Sequence, residues 1–327
     1  MIFAKYKTLI LFLISVFSVG NAYALKCVNA SDSSVRLEEN IGSVAVPNTM
    51  DNGVTVWRSE NRVMRVQCWK DFSGTQEYAY FYFDPAKASL HPGVRVGVNL
   101  GGIDIPDITA SFRQQIPNVV IPTCTNTEAY CKANRSVFFD INYYVYIARN
   151  GTATGNYSGA NTLDVFQIDG VGGLNIAVNS NFRYATTNMN GIRFLSCNAN
   201  LSVYPSIVDF GRVYIPGLVV PGVVAKDVDF NIDVNKSCTD PMLLTATYSS
   251  TSSVYDNNTR ALLDGVGLKI KNLNTNEYIG YNNVESFADL RVTNSVSVPF
   301  KAELVWLNNN PSTGQINSTL TITAYYN

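Results

Sequence analysis

Residues 319–327 read Thr-Leu-Thr-Ile-Thr-Ala-Tyr-Tyr-Asn, and they alternate without an error: Leu320, Ile322, Ala324 and Tyr326 fall on one side, Thr319, Thr321, Thr323 and Tyr325 on the other. Successive side chains leave a strand on opposite faces, so a period of two marks a strand with one buried face. The same period recurs upstream. Val298, Phe300, Ala302, Leu304 and Trp306 share a face, as do Val228, Phe230, Ile232 and Val234, and Phe139, Ile141, Tyr143, Val145 and Ile147. In 77–83, Tyr78, Tyr80 and Tyr82 alternate with Ala79, Phe81 and Phe83. No helix-length window places apolar residues at i, i+3, i+4 and i+7. The expectation is an all-β protein.

Turn pairs at Asn52-Gly53, Asn150-Gly151, Asp169-Gly170, Asn190-Gly191 and Asp264-Gly265 separate the strands, since these residues supply the conformations that tight turns require. The polar stretch 149–162 reads as a long loop, where recognition often sits. A more regular strand pattern begins near Leu195-Ser196, just before Cys197, which divides the chain into domains 25–195 and 196–327. At the start, Lys5 and Lys7, the apolar run Leu9 to Val19, and Ala22-Tyr23-Ala24 stand in the order of a signal peptide. Residues 1–24 are therefore read as an export signal. The run is too short to span a bilayer as a helix, so an exported, soluble product is expected.

Only 15% of residues are charged, the formal net charge is −1, and aromatics reach 12% with 19 Tyr. No basic field exists to attract nucleic acid or anionic lipid, and neutral partners are expected instead. The six cysteines of an exported chain read as disulfides. Sequence order and domain size favour Cys27–Cys68, Cys124–Cys131 and Cys197–Cys238, because each pair then closes a loop inside one domain.

The C-terminal residues resemble the subunits of chaperone–usher fimbriae. The likeness rests on Cys197 opening the domain, Pro205 followed by Val208-Asp209-Phe210-Gly211, Cys238, Gly265-Val266-Gly267-Leu268, and Gly314 leading into a terminal alternating strand with penultimate Tyr326. It implies two β-sandwich domains, the second an incomplete Ig-like pilin fold lacking its last strand. A periplasmic chaperone would complete that fold first, and a strand donated by an adjacent subunit later, with assembly at an outer-membrane usher. The chaperone would pair with the strand carrying Leu320, Ile322, Ala324 and Tyr326 and hold the carboxylate of Asn327. Elementary physics agrees, because an unpaired sheet edge beside an apolar groove is unfavourable in water. The alternative is a strand that completes an ordinary sandwich. Since only Leu25 and Lys26 precede Cys27 in the expected mature chain, it has no strand to donate, which points to the fimbrial tip.

Residues 25–195 resemble the receptor-binding domain of two-domain tip adhesins of the UclD and UcaD type, through Cys68, Asp84-Pro85, Val96-Gly97-Val98, Asp164 to Gly170 with Leu174-Asn175, and Asn181-Phe182-Arg183-Tyr184. A remoter similarity to fimbrial lectins that bind N-acetylglucosamine rests on Val56-Trp57-Arg58 ahead of a cysteine and on the glycine-rich strand end from Leu100 to Asp104. It implies Thr55 and Asp104 as sugar-binding positions. Asn134 and Arg135, after an expected Cys124–Cys131 hairpin, are further candidates. A carboxylate can accept two sugar hydroxyls and an aromatic face can cover the apolar side of the ring. Each residue also has a plainer role: Trp57 as core, Asp104 as a turn cap, and the tyrosines of 78–82 as cross-strand packing.

Catalysis finds little support. His91 is the only histidine and reads as a solvated loop residue, so no histidine-based triad or multi-histidine metal site can form within one chain. Disulfides would use every thiol. No cofactor or metal is expected. The function implied is a non-enzymatic fimbrial adhesin at the cell exterior that binds a host glycan receptor. The alternatives are a tip subunit for a protein or abiotic surface and, more distantly, a secreted glycan-processing enzyme.

Overall fold

A computed structural model describes residues 25–71, 74–175 and 180–327; the expected export signal 1–24 lies outside them. The described chain is built almost wholly of strands. A pair of sheets face each other in its N-terminal region. The first runs in the order Lys26–Asn29, Arg62–Trp69, Val137–Arg149, Val94–Leu100 and Ile103–Ile105, and Thr55–Arg58 also pairs with Val137–Arg149. The second runs Arg36–Asn40, Arg183–Thr187, Leu163–Gly170, Glu77–Phe83 and Arg113–Ile121.

Alternation explains the packing between them. Ile141, Tyr143, Val145 and Ile147 are buried on one face of the long strand Val137–Arg149. Tyr143 meets Phe166 edge-on at 5.5 Å and Tyr184 at 5.1 Å from the opposing sheet. Edge-to-face contacts suit the ring quadrupoles and add to the burial of area. Trp57 is buried in the same cluster, in keeping with its plainer reading as core.

A second cluster runs from Leu195 to Tyr326. Its larger sheet has the order Ala199–Tyr204, Val224–Lys236, Ser295–Trp306, Val266–Asn272, Thr259–Leu263 and Ser253–Val254. It faces a three-stranded sheet of Glu285–Asp289, Leu243–Ser250 and the terminal strand Leu320–Tyr326. Tyr248 and Phe300 bridge the two layers with centroids 6.1 Å apart.

Among the described residues the terminal strand pairs only with Leu243–Ser250, so its other edge offers free backbone donors and acceptors. Leu320, Ile322 and Ala324 are half-buried along it. Tyr326 closes one end: its hydroxyl accepts from the Ala199 N–H and donates to the Ala199 carbonyl, both at 3.3 Å. Leu201, Val203 and Ile207, downstream of Ala199, are exposed.

The N-terminal and C-terminal regions interlock through a parallel pair, Val44–Pro47 with Ile192–Leu195. Ala45 is buried in the second core, and Met50 packs against both. Arg193 reaches across to donate to the Pro241 carbonyl at 2.6 Å and to the main-chain oxygen of Asn327 at 3.4 Å.

The disulfides join Cys27 to Cys68, Cys124 to Cys131 and Cys197 to Cys238. Three sequence readings need correction. The expected hairpin inside the second bridge is a short helix, Glu128–Asn134, whose N-cap Thr127 accepts from the Tyr130 N–H. A capping Thr followed by good helix formers explains it, but seven residues are too few to display a period. Asp169-Gly170 is not a turn, because the strand Leu163–Gly170 carries both residues and pairs Gly170 with Ala79. A Cβ at Gly170 would meet the Glu77 carboxylate, so this glycine serves close packing, and the turn follows it. His91 is packed rather than simply solvated: its ring lies 4.8 Å from Phe194, and Nδ1 accepts from the Gly93 N–H.

The Cys27–Cys68 bridge spans a sequence separation of 41 and is fully buried. In the chain-entropy account a loop of that length stabilises the fold by about 4 kcal/mol. The double variant Cys27→Ala/Cys68→Ala is expected to lose about that much, read as a lowered urea midpoint, with the slope rising as the unlinked unfolded chain exposes more surface.

Candidate functional site

Register places the side chains of the site. Residues opposite one another on antiparallel neighbours share a face. Arg95 lies opposite Ala148, which lies opposite Thr55; Gly97 lies opposite Tyr146, which lies opposite Arg58; Asn99 lies between Tyr144 and Asp104. Four strands thus present Thr55, Arg58, Arg95, Asn99, Asp104, Tyr144 and Tyr146 on the sheet face away from the core. These residues line an open cavity of about 400 Å³ together with Gly53, Pro106 and, from the terminal strand, Tyr325. That volume falls at the small end of ligand pockets.

Gly97 shapes the floor. A Cβ there would overlap the Tyr146 ring, so only glycine lets the ring lie across the strand and carry its hydroxyl to Asp104, where it donates to Oδ1 at 2.9 Å. Burial, then the carboxylate beside it, pushes the Tyr146 phenol well above its ordinary range. Burial also raises the Tyr144 phenol, an effect that Arg58 opposes. The Arg58 guanidinium stands 3.8 Å over the Tyr144 ring and donates to Ser59 O and Asn61 Oδ1. Gly53, with φ of +88°, lets the Arg95 guanidinium lie against its backbone. Tyr325 is anchored by a 3.1 Å bond between its hydroxyl and that of Thr247.

Of the sequence candidates, Thr55 and Asp104 come together in this cavity. Asn134 and Arg135 do not join them. They end the helix Glu128–Asn134, beside the start of the strand Val137–Arg149, and the rise of a strand puts that point on the order of 30 Å from Tyr146. The Asn134 amide is used locally, donating to Tyr130 O at 3.0 Å. No motif in the sequence points to Arg95, Asn99, Tyr144 or Tyr146. The available signal was their phase: Tyr144 and Tyr146 alternate with the core residues Tyr143, Val145 and Ile147 and must face the other way.

The chain thus consists of two interlocked strand-built regions, one with a shallow polar cavity and the other ending in an open-edged strand. Residues 192–327 match the family model described as Fimbrial protein. Similar solved structures include the CupB6 tip adhesin from Pseudomonas aeruginosa, at 11% identity and TM-score 0.29, covering 92% of this chain and 96% of that one. The CsuC–CsuE chaperone–tip adhesion subunit pre-assembly complex of archaic chaperone-usher Csu pili from Acinetobacter baumannii follows at 10% identity and TM-score 0.28, covering 91% and 99%. The P pilus rod subunit PapA, at 11% identity and TM-score 0.32, covers 40% of this chain and 92% of its own.

Gly97→Ala is expected to displace the Tyr146 ring and destabilise the chain by about 1–3 kcal/mol, the usual range for overpacking, measurable by urea unfolding. The Tyr146 phenol also gives a pH signature. Its folded pKa exceeds the unfolded value, so its contribution is complete below about pH 10 and is withdrawn as pH rises above it. Asp104→Asn is expected to bring the phenol back towards its ordinary value in an ultraviolet titration; an unchanged titration would contradict the assigned bond.

Proposed function

We propose that the chain is a fimbrial adhesin whose residues 25–195 bind a host carbohydrate in the cavity around Thr55 and Asp104. Residues 196–327 join it to the fibre by accepting a strand from an adjacent subunit, after export through the periplasm with a chaperone and delivery by an outer-membrane usher. The tip of the fimbrium is the place such a subunit occupies.

The observation that carries the carbohydrate reading is the meeting of Thr55 and Asp104, distant in sequence, in one polar cavity with three tyrosines, Tyr144, Tyr146 and Tyr325. The Asp104 carboxylate has lone pairs beyond the one engaged by Tyr146, the Thr55 hydroxyl can donate or accept, and a ring can cover an apolar sugar face. Such shallow sites bind weakly one at a time, and many copies on a cell make up the strength. The fibre-joining reading is supported by the fimbrial family match and by the unpaired edge of the terminal strand. Strand addition there would supply main-chain hydrogen bonds, and alternate side chains would bury against Leu320 and Ile322. A protein or abiotic surface is the second reading, favoured by exposed Val63, Phe112 and Phe138 in the N-terminal region.

A glycan array probed with the full chain, displayed multivalently, tests the first reading. Binding to a defined sugar family is expected, reduced roughly 10-fold or more in Asp104→Ala and less in Thr55→Ala. A blank array with folded protein would turn the assignment to the second reading. Deleting 320–327 is expected to abolish incorporation into fimbriae, scored by surface labelling; normal incorporation would refute strand acceptance at this edge.

A further inference from the structure

We infer that the cavity selects an acidic saccharide, one bearing a carboxylate such as a terminal sialic acid or a uronic acid, with Arg95 as the group that receives the carboxylate. The inference rests on the carbohydrate reading above and specifies its ligand. The cavity holds two guanidinium groups, Arg58 and Arg95, against one carboxylate, Asp104. Elsewhere in the N-terminal region Arg62 pairs with Glu39, and Arg36 and Arg183 share Asp164, while Arg113 and Arg149 spend their donors on neutral oxygens.

Among the described residues Arg95 has no such partner. Its Nε is buried without any hydrogen bond, and its Nη2 lies against Gly53, where an added Cβ would sit only 2.8 Å away. Nε is shielded from the cavity, so a ligand carboxylate would be met by the part of the Arg95 guanidinium that lines it; a guanidinium presents paired donors in the geometry of a carboxylate. Arg58 keeps its charge over Tyr144 with only neutral acceptors, Ser59 O and Asn61 Oδ1. Asp104 would repel a ligand carboxylate at close range, but its Oδ1 is engaged by Tyr146, and its free oxygen suits a sugar hydroxyl away from the acid group. The rings of Tyr144 and Tyr146, 6.2 Å apart and tilted by 46°, give the sugar ring a surface between these charges.

The test compares ligands before it compares variants. The full chain is titrated with a methyl sialoside, the methyl ester of that same sialoside, a methyl glucuronide and a methyl glucoside. An acid is expected to bind at least about 10-fold more tightly than its neutral counterpart, with affinity falling as salt is raised; which acid binds separates sialic from uronic sources. Arg95→Gln is expected to erase the preference for acid, and Arg95→Lys to retain part of it, with circular dichroism checking the fold of each. Equal binding of ester and acid, or a preference for the neutral sugar, would overturn the acidic ligand while leaving the lectin reading in place. Failure of every saccharide, here and on the array, would overturn both.

Discussion

The N-terminal region depends on a single geometric constraint, the two-residue period of the strand Val137–Arg149. This strand pairs with Arg62–Trp69, Thr55–Arg58 and Val94–Leu100, so its register fixes theirs. One set of its side chains, including Tyr143, Val145 and Ile147, fills the core. The other set, Tyr144 and Tyr146, becomes the floor of the cavity. A slip of one residue would exchange the two sets, burying phenols and exposing the core face. Core and cavity are thus opposite faces of one pattern, and the stability of the first holds the geometry of the second.

Much of the fold was legible in the sequence because burial writes alternation directly. The strands around Val228–Val234, Val298–Trp306 and Leu320–Tyr326 could be read residue by residue. The signals that failed were short or ambiguous. Glu128–Asn134 is too brief for helical periodicity, and Asp169-Gly170 has the composition of a turn although the space beside Glu77 is what requires the glycine. His91 looked like a loop residue because nothing local reveals its contact with Phe194, far along the chain.

The site was legible only in part, and the division has a physical cause. Thr55 and Asp104 were found through family resemblance, which carries position without geometry. Arg95, Asn99 and Tyr146 join them through cross-strand register, and register depends on pairings that one sequence does not specify. Asn134 and Arg135 were placed with them on residue type alone, and the length of a thirteen-residue strand keeps them at the other end. Gly97 belongs to the Val96-Gly97-Val98 motif, yet its role is an absence: the missing Cβ is the room into which Tyr146 lies.

The parallel pairing of Val44–Pro47 with Ile192–Leu195 has a mechanical consequence. Covalent continuity from the N-terminal region to the C-terminal one runs through Leu195, the last residue of one of these strands. A pull along the strand direction therefore loads the hydrogen bonds of the pair side by side, in shear, and they must yield together rather than open in sequence like a zip. Ala45, seated in the second core from the middle of the neighbouring strand, acts as a rivet through the same joint. The connection has the build of a lap joint, suited to bearing tension without letting chain run out.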